Sequence, residues 1–220
     1  MVVPIISDDT TPVQPQMRRV LLTGFGAFPG VAHNVSGDVV IALAKEARQV
    51  FPDIDIHTAV LPTEWQVAPD QSLALQNSMQ PDIVLHFGVA HGATGFRIES
   101  CAMNACRLAP DAANLLPASA HLSAAGAPFQ RTTIPVDVVV ARLTASGLPV
   151  SVSDDAGAYL CNSVFYQSLA HVKGLNTPRQ VGFIHLPVTL SGPPLTFCQA
   201  IAGSLEILTS CLADIKRAAY

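Results

Sequence analysis

Charged residues are scarce in this chain: only 13% of its 220 residues are Asp, Glu, Lys or Arg, against about 25% in a typical soluble domain. The formal net charge is −4, and the twelve basic residues are scattered. This pattern argues against a nucleic-acid surface, which needs clustered Lys and Arg. With so few charges to cover the outside, we expect some apolar surface to contact another subunit, and therefore a homo-oligomer.

Long hydrophobic runs are also lacking, and we expect no membrane association because a membrane span needs about 18 apolar residues. The opening MVVPIISDDTTPVQPQ has no basic region before a sustained apolar segment, unlike a secretory signal. A cytoplasmic protein is therefore expected. The proline-rich and polar residues 1–17 are predicted to form a flexible leader before a single domain over residues 18–220.

A disulfide framework is missing as well, since the five cysteines are an odd number without the usual spacing. In a cytosolic protein they should be reduced thiols, mostly buried as small hydrophobic residues. One of them lies in a context that favours chemistry instead. The five are Cys101, Cys106, Cys161, Cys198 and Cys211.

The apolar patterning predicts strands alternating with helices over the whole domain, which is typical of an α/β sandwich with a largely parallel central sheet. Residues 92–135 are the irregular part, where we predict a long excursion with a hairpin, of a kind that is usually functional. The predicted strands cover residues 18–25, 54–61, 82–89, 149–153 and 180–186. The predicted helices cover residues 36–50 (capped by Ser36), 65–79, 136–146, 158–171 and 195–217.

Two sequence patterns are similar to those of cofactor or metal sites. Residues 24–30 are glycine-rich, but Pro29 stands where a dinucleotide loop needs glycine, and the Gly-Lys-Ser/Thr ending of a phosphate loop is absent. We interpret the segment as a tight turn that leaves Phe25 and Phe28 at the carboxyl edge of the sheet, where open α/β folds bind ligands. No cofactor is expected.

Zinc is the second possibility, because His86, His91, Cys101 and Cys106 are ligands of the right type. Four residues separate the members of each pair, a spacing that suggests zinc geometry only loosely. His86 also lies within a strand predicted to be buried, where a hydrogen-bonded core histidine is more common. The prediction is no metal.

Cys161 follows a predicted turn at residues 154–157 and lies at the start of a predicted helix. The free N–H groups and the dipole at a helix start favour thiolate over thiol, and the same N–H groups could bind a developing oxyanion. The alternative is an inert cysteine buried in an apolar helix, which is the more common case for an arbitrary cysteine.

His185 favours the chemical interpretation, because it ends an apolar strand that Pro187 stops. A polar ring there is costly unless it is paired, and one helix and one strand would bring it to the same sheet edge as Cys161. A cysteine–histidine pair needs a third group to orient the ring. The patterns do not choose among three carboxylates, Glu99, Asp82 and Asp111.

Four separated segments form a recognisable set. They are Leu22–Gly30 with Asn34 and Ser36, Pro81–Gly92 with Glu99, Ala102 and Asn104, Val152–Asn162 with Phe165 and Tyr166, and Gly182–Pro187. In content, order and separation they resemble the pyroglutamyl peptidase I family of cysteine peptidases, over about residues 18–190.

This resemblance implies a single three-layer α/β/α sandwich, often assembled as a homotetramer, that needs no cofactor. It implies that Glu99 joins Cys161 and His185 in a catalytic triad, and that the substrate is a peptide or small amide with an N-terminal pyroglutamyl residue. The substrate-binding residues that it implies are Phe25, Phe28, Val89, Tyr159, Leu160, Arg107 and Leu108.

The chain also departs from the family pattern. Ala93 replaces an arginine, His91 replaces a glycine, Ser100 replaces the arginine after the glutamate, and the residues after Pro187 differ. Two other functions therefore stay open. One is a thiol amidase or esterase for another small acyl group, and the other is a non-catalytic binding protein of the same fold.

Overall fold

The computed structural model of the protein describes residues 17–175 and 179–218, so that almost all of the predicted leader lies outside the described residues. The strands are β1 (Arg18–Phe25), β2 (Ile54–Leu61), β3 (Ile83–Val89), β4 (Phe96–Glu99), β5 (Cys101–Met103), β6 (Phe129–Arg131), β7 (Val150–Ser153), β8 (Gln180–Leu186), β9 (Ser191–Gly192) and β10 (Leu195–Thr196). The helices are α1 (Val35–Val50), α2 (Val67–Met79), α3 (Val136–Ala145), α4 (Leu160–Lys173) and α5 (Phe197–Ala218).

The central sheet has six strands in the order β2-β1-β3-β8-β4-β7. The first four run parallel, β4 pairs antiparallel with β8, and β7 runs parallel to β4. The predicted, largely parallel sheet is therefore confirmed. The carboxyl ends of β1, β3 and β8 meet at one edge of the sheet, and residues at that edge can share a site.

Helices cover both faces of the sheet. One core layer buries apolar side chains of α1, α3 and α5, and the other buries those of α2 and α4. All residues of β3 and β8 are buried, because each of these central strands has helices on both sides. The predicted three-layer α/β/α sandwich is confirmed.

The irregular segment contains more order than the patterns predicted. In place of a tight hairpin, β5 and β6 form an antiparallel pair across the long connection 104–128, and β4, which was not predicted, adds a strand to the main sheet. A second difference concerns the start of α1, where Asn34, not Ser36, is the N-cap and accepts a hydrogen bond from the Ser36 N–H. The Ser36 hydroxyl instead accepts from the Phe25 N–H.

Helix α5 meets the length and composition criteria for a membrane span, although no apolar run of that length was expected from the sequence. Phe197–Ile215 is long and apolar enough by length and composition alone, although 44% of its most apolar window is buried inside the protein. The buried side chains include Ala200, Ile207 and Leu208, which belong to the core shared with α1 and α3. Core helices pass the same test, so the segment is weak evidence for a membrane span.

Candidate active site

Glu99 and His185 form a buried pair at the carboxyl edge of the sheet. Oε1 of Glu99 lies 2.7 Å from Nδ1 of His185, and the two residues are 0% and 5% exposed. The pair arises from the strand register, because Glu99 on β4 is opposite Phe183 on β8, two residues before His185. With Nδ1 donating to the carboxylate, the Nε2 atom of His185 is available for chemistry.

The other two carboxylates that the sequence left open are held elsewhere. Asp82 lies at the amino end of β3, where its Oδ2 accepts from the Arg19 N–H, at the edge of the sheet opposite His185. Asp111 is 1% exposed and uses both oxygens to accept backbone N–H groups of Trp65 and Leu115. Of the three, only Glu99 is bonded to His185.

Cys161 is the second residue of α4, whose N-cap is Tyr159. The first N–H groups of an α-helix have no acceptor within the helix, and here the main chain at Cys161 is among them, since the helical bonding begins with Ser163 N–H donating to Tyr159. Sγ of Cys161 lies against Gly88, the residue opposite His185 in the β3–β8 ladder, and Cys161 and His185 line one cavity. The structure therefore brings Cys161, His185 and Glu99 together.

The protonation of His185 follows from this arrangement. Burial alone would lower the pKa of His185, but the charge of Cys161, a hydrogen bond with Cys161, and the hydrogen bond and charge of Glu99 together raise the pKa to about 9. The ring therefore keeps its proton at neutral pH. A histidine in this state can give a proton to a departing group.

Gly88 is a site residue that the sequence analysis missed. It lies opposite His185 in the β3–β8 ladder, and a Cβ atom built on it would stand 3.0 Å from Sγ of Cys161 and 2.9 Å from Cζ of Phe183. Only glycine leaves room for the sulfur here. A glycine inside a strand signals such close approach, so this residue could have been found.

A cavity of about 350 Å³ opens beside the cysteine sulfur. Two predicted site residues are not in its lining: Glu99, which is bonded to Nδ1 of His185, and Leu108, which is 66% exposed. The chain turns outward at Leu108, because Arg107 N–H bonds to Ala158 and Trp65 Nε1 bonds to Ala109. The predicted residues in the lining are Phe25, Phe28, Val89, Arg107, Tyr159, Leu160, Cys161 and His185.

Aromatic side chains form one wall of this cavity. The ring of Tyr159 lies 6.0 Å from the ring of Phe28 and 5.0 Å from the ring of Trp65, measured between centroids. The Arg107 guanidinium lies 5.7 Å from the centroid of the same ring, and the Tyr159 hydroxyl donates to the Pro110 carbonyl. These contacts give the wall a fixed, largely apolar surface of the kind that binds a small uncharged group.

Two further polar residues, not predicted, fix the loop that carries Phe25 and Phe28. Asn34 Nδ2 and Thr63 Oγ1 each donate to the Gly26 carbonyl at 3.0 Å, and both residues line the cavity. Because a loop of this kind would otherwise fluctuate, these bonds keep the two phenylalanines in place.

Comparisons with known proteins identify the family. The sequence pattern of the family described as pyroglutamyl peptidase matches residues 18–196 of the chain. The chain belongs to the pyroglutamyl peptidase family. It is 35% identical over 204 residues to the pyrrolidone-carboxylate peptidase of Chromobacterium violaceum, covering 92% of this chain and 91% of that protein. The pyrrolidone-carboxylate peptidase of Streptococcus pyogenes is 33% identical over 171 residues, 77% of each chain.

Solved structures of the pyroglutamyl peptidase family share the fold. Pyroglutamyl peptidase I of Bacillus amyloliquefaciens superposes with a TM-score of 0.81 at 26% identity, covering 89% of this chain and 97% of that one. Pyrrolidone carboxyl peptidase of Pyrococcus furiosus gives a TM-score of 0.82 at 25% identity, covering 89% and 99%. The predicted family is therefore confirmed, and the protein is a cysteine-type exopeptidase of this family.

Within residues 17–175 and 179–218, no three His, Cys, Asp or Glu side chains converge as metal ligands. The four residues that the sequence suggested for zinc have other surroundings, and Cys106 among them packs against the core layer of α2 and α4. Both ring nitrogens of His86 are engaged by the hydroxyls of Thr23 and Ser168, and burial lowers the pKa of His86 to about 3. His91 lines the cavity, and Cys101 donates to the Asp154 carbonyl.

Proposed function

We propose that this protein removes an N-terminal pyroglutamyl residue from peptides, through a thioester on Cys161. His185 acts as general base and acid, and Glu99 orients His185. The observation that carries the proposal is the hydrogen-bonded Glu99–His185 pair beside Cys161, at a cavity with an aromatic wall. Membership of the pyroglutamyl peptidase family gives the substrate class.

The reaction starts with the Cys161 proton on His185. The thiolate attacks the carbonyl carbon of the pyroglutamyl residue, and the resulting oxyanion binds N–H groups in the first turn of α4, where one donor is commonly worth about 3 kcal/mol. The C–N bond then breaks as His185 gives its proton to the departing amine. A water molecule, deprotonated by His185, attacks the thioester, and pyroglutamate leaves as the thiol re-forms.

The cavity suits the acyl group of such a substrate. Its volume of about 350 Å³ lies at the small end of the range for ligand sites, roughly 300–1,000 Å³. A five-membered lactam is small and neutral, so the rings of Phe25, Phe28 and Tyr159 can hold its faces. The main chain at Val89 can hydrogen-bond to the N–H and carbonyl of the lactam, which distinguishes pyroglutamyl from a plain hydrocarbon ring.

Replacement of the nucleophile tests this function. Cys161→Ala and Cys161→Ser should abolish release of coumarin from a pyroglutamyl-coumarin amide, whereas Cys198→Ser, at an exposed thiol on α5, should retain wild-type turnover. Near wild-type activity in Cys161→Ala would refute the assignment. If the wild-type protein cleaves other acyl amides but not pyroglutamyl amides, it is instead a different thiol amidase.

We also propose that the protein is a homo-oligomer, as expected from its scarcity of charge. Several large apolar side chains are exposed in the isolated chain, among them Leu108, Leu115, Leu116 and Phe129. Exposed apolar surface of this kind is often covered by another subunit. Sedimentation equilibrium tests the proposal, and a molecular mass equal to the 23.1 kDa of one chain at micromolar concentration would contradict it.

A further inference from the structure

Arg97 occupies a position in the site that the catalytic steps above do not use. It lies on β4 directly opposite His185 in the antiparallel ladder with β8, and His185 is opposite Gly88 on β3. Cross-strand partners project from the same face of a sheet. Arg97, His185 and Gly88 therefore form one row across the sheet, in which Gly88 lies next to the Cys161 sulfur, and Arg97 lines the same cavity as Cys161 and His185.

The strand order indicates which side of this row faces the acyl group of a substrate and which faces the leaving amine. Phe25 ends β1 and Val89 ends β3, and both strands lie on one side of β8, whereas β4 lies on the other side. When the pyroglutamyl ring occupies the aromatic side of the cavity, the scissile bond lies near Cys161 and His185. The amine side of the substrate then extends toward β4, and Arg97 is the cationic residue that this strand places in the lining.

The guanidinium of Arg97 is anchored but still has donors to offer. One Nη2–H donates to the Gly92 carbonyl at 2.7 Å, and a guanidinium has five N–H groups in a planar fork. Among the ion pairs within residues 17–175 and 179–215, none involves Arg97. An anchored fork of this kind is suited to bind a carboxylate with two parallel hydrogen bonds.

The charge of the cavity agrees with an anionic ligand. Besides Cys161 and two histidines, its titratable lining residues with a side-chain charge are two arginines, Arg97 and Arg107, and one carboxylate, Asp155. The chain as a whole has a formal net charge of −4, so two arginines in one cavity are a local concentration of positive charge. Arg107 differs from Arg97 because it lies over the Tyr159 ring, on the acyl side.

We propose that Arg97 is a specificity-determining residue that binds a carboxylate on the amino-acid residue after the pyroglutamyl group. The inference rests on the proposed function and makes it more specific. The carboxylate can be the α-carboxylate of a pyroglutamyl dipeptide or the side chain of an acidic residue in a longer peptide. Both place a negative charge on the leaving amine's side of the scissile bond.

Two matched pairs of substrates test this proposal. Pyroglutamyl-alanine is compared with pyroglutamyl-alaninamide, and pyroglutamyl-glutamic α-amide is compared with pyroglutamyl-glutamine α-amide. In the wild-type protein kcat/KM should be about tenfold higher for the charged member of at least one pair, as expected for a charge-assisted hydrogen bond. The first pair reports the α-carboxylate and the second reports the side chain. Equal values within both pairs overturn the proposal.

Arginine variants show which residue is responsible. Arg97→Gln should reduce the charged-to-neutral ratio to near one, chiefly through KM, and Arg97→Lys, which keeps the charge but not the fork, should give an intermediate ratio. Arg142→Gln, a control at a remote ion pair with Glu206, should keep the wild-type ratio. Circular dichroism of both Arg97 variants checks folding, and the lysine variant serves if the glutamine variant is unfolded.

Three results would contradict the inference. They are an unchanged ratio in Arg97→Gln, a ratio abolished by Arg107→Gln instead, and a ratio insensitive to salt between 0.05 and 0.5 M, a range over which Debye screening changes about threefold. Failure of the proposed function is distinguishable, because then the neutral pyroglutamyl amides are not cleaved either. In that case the proposed function and the proposed role of Arg97 are both rejected.

Discussion

Gly88 and Cys161 are so close that a methyl group on Gly88 would stand 3.0 Å from the cysteine sulfur. The same methyl group would contact the ring of Phe183, which packs against His185 with ring centroids 4.7 Å apart. These contacts would displace the nucleophile Cys161 directly and its base His185 through Phe183. The relationship makes Gly88 a part of the site although it has no side chain.

Gly88→Ala should therefore lower kcat/KM by about 100-fold, because displacing reacting groups by about 1 Å costs rates of this order. Steady-state kinetics with a pyroglutamyl-coumarin amide measures the loss, and thermal unfolding checks the fold. Gly192→Ala is the matched control, since nothing lies within 4 Å of a Cβ atom there, and it should behave as wild type. Full activity in Gly88→Ala would contradict the packing.

The carboxylate of Glu99 is expected to matter for the state of His185 as well as for the rate. Glu99→Gln keeps the volume but loses the charge at 2.7 Å from Nδ1, so kcat should fall by about 1,000-fold. The pKa of His185 should fall too, because the hydrogen bond and charge of Glu99 are among the contributions that raise it. NMR titration of the His185 ring in the variant measures this change.

Asp82→Asn serves as the comparison for Glu99→Gln. Asp82 bonds to the Arg19 N–H at the other edge of the sheet, so its replacement should leave the titration of His185 unchanged. If Asp82→Asn lowers kcat as much as Glu99→Gln does, Glu99 has no special role in orienting the ring.

The pH dependence of the reaction should have its alkaline limit at His185. The pKa of His185 is raised to about 9: burial lowers it, but the charge of Cys161 and the bonds with Cys161 and Glu99 outweigh burial. Above that pH the ring has no proton for the departing amine, so kcat/KM should fall about tenfold per pH unit. In Cys161→Ala the ring should titrate at lower pH. A wild-type rate that keeps rising beyond pH 10 would exclude this role.

Acid stability should depend on His86, a buried histidine that does not touch the substrate cavity. Its folded-state pKa is lowered by burial to about 3, whereas in the unfolded chain it is near 6.5. Between these values only the unfolded state binds the proton, so the free energy of unfolding falls as pH decreases, by about 1.4 kcal/mol per pH unit from this group.

His86→Gln removes the titratable ring but keeps a polar side chain facing Thr23 and Ser168. The variant should be less stable than wild type at pH 7, since buried hydrogen bonds are disturbed, yet its stability should change less between pH 6.5 and 4. Urea unfolding at several pH values measures both. Parallel stability curves for the two proteins would show that His86 does not contribute to acid unfolding.

The sequence patterns were sufficient for the regular part of the fold. The predicted strand 180–186 matches β8 residue for residue, and the helix starting near residue 158 places Cys161 in its first turn. These elements were predictable because an apolar strand and a turn followed by a helix carry strong local signals.

The place of β4 in the main sheet could not be predicted from the local pattern, for a physical reason. Its four residues, Phe96–Glu99, alternate apolar and charged, which is the pattern of a strand with one face in water. In the fold the charged face is turned toward the active site. Local pattern therefore could not choose between Glu99 and Asp111, because the choice depends on which segment of the excursion pairs with β8.

Strand β4 has alternate residues in the core and in the active site. Phe96 and Ile98 face the core beneath α1, α3 and α5, whereas Arg97 and Glu99 face the reacting groups. Substitutions at the two even positions should thus alter folding energy, and those at the two odd positions should alter turnover and substrate preference. Because Glu99 and Arg97 are only two residues apart on β4, replacing this strand with that of a relative would change the orienting acid and the charge near the leaving amine at the same time.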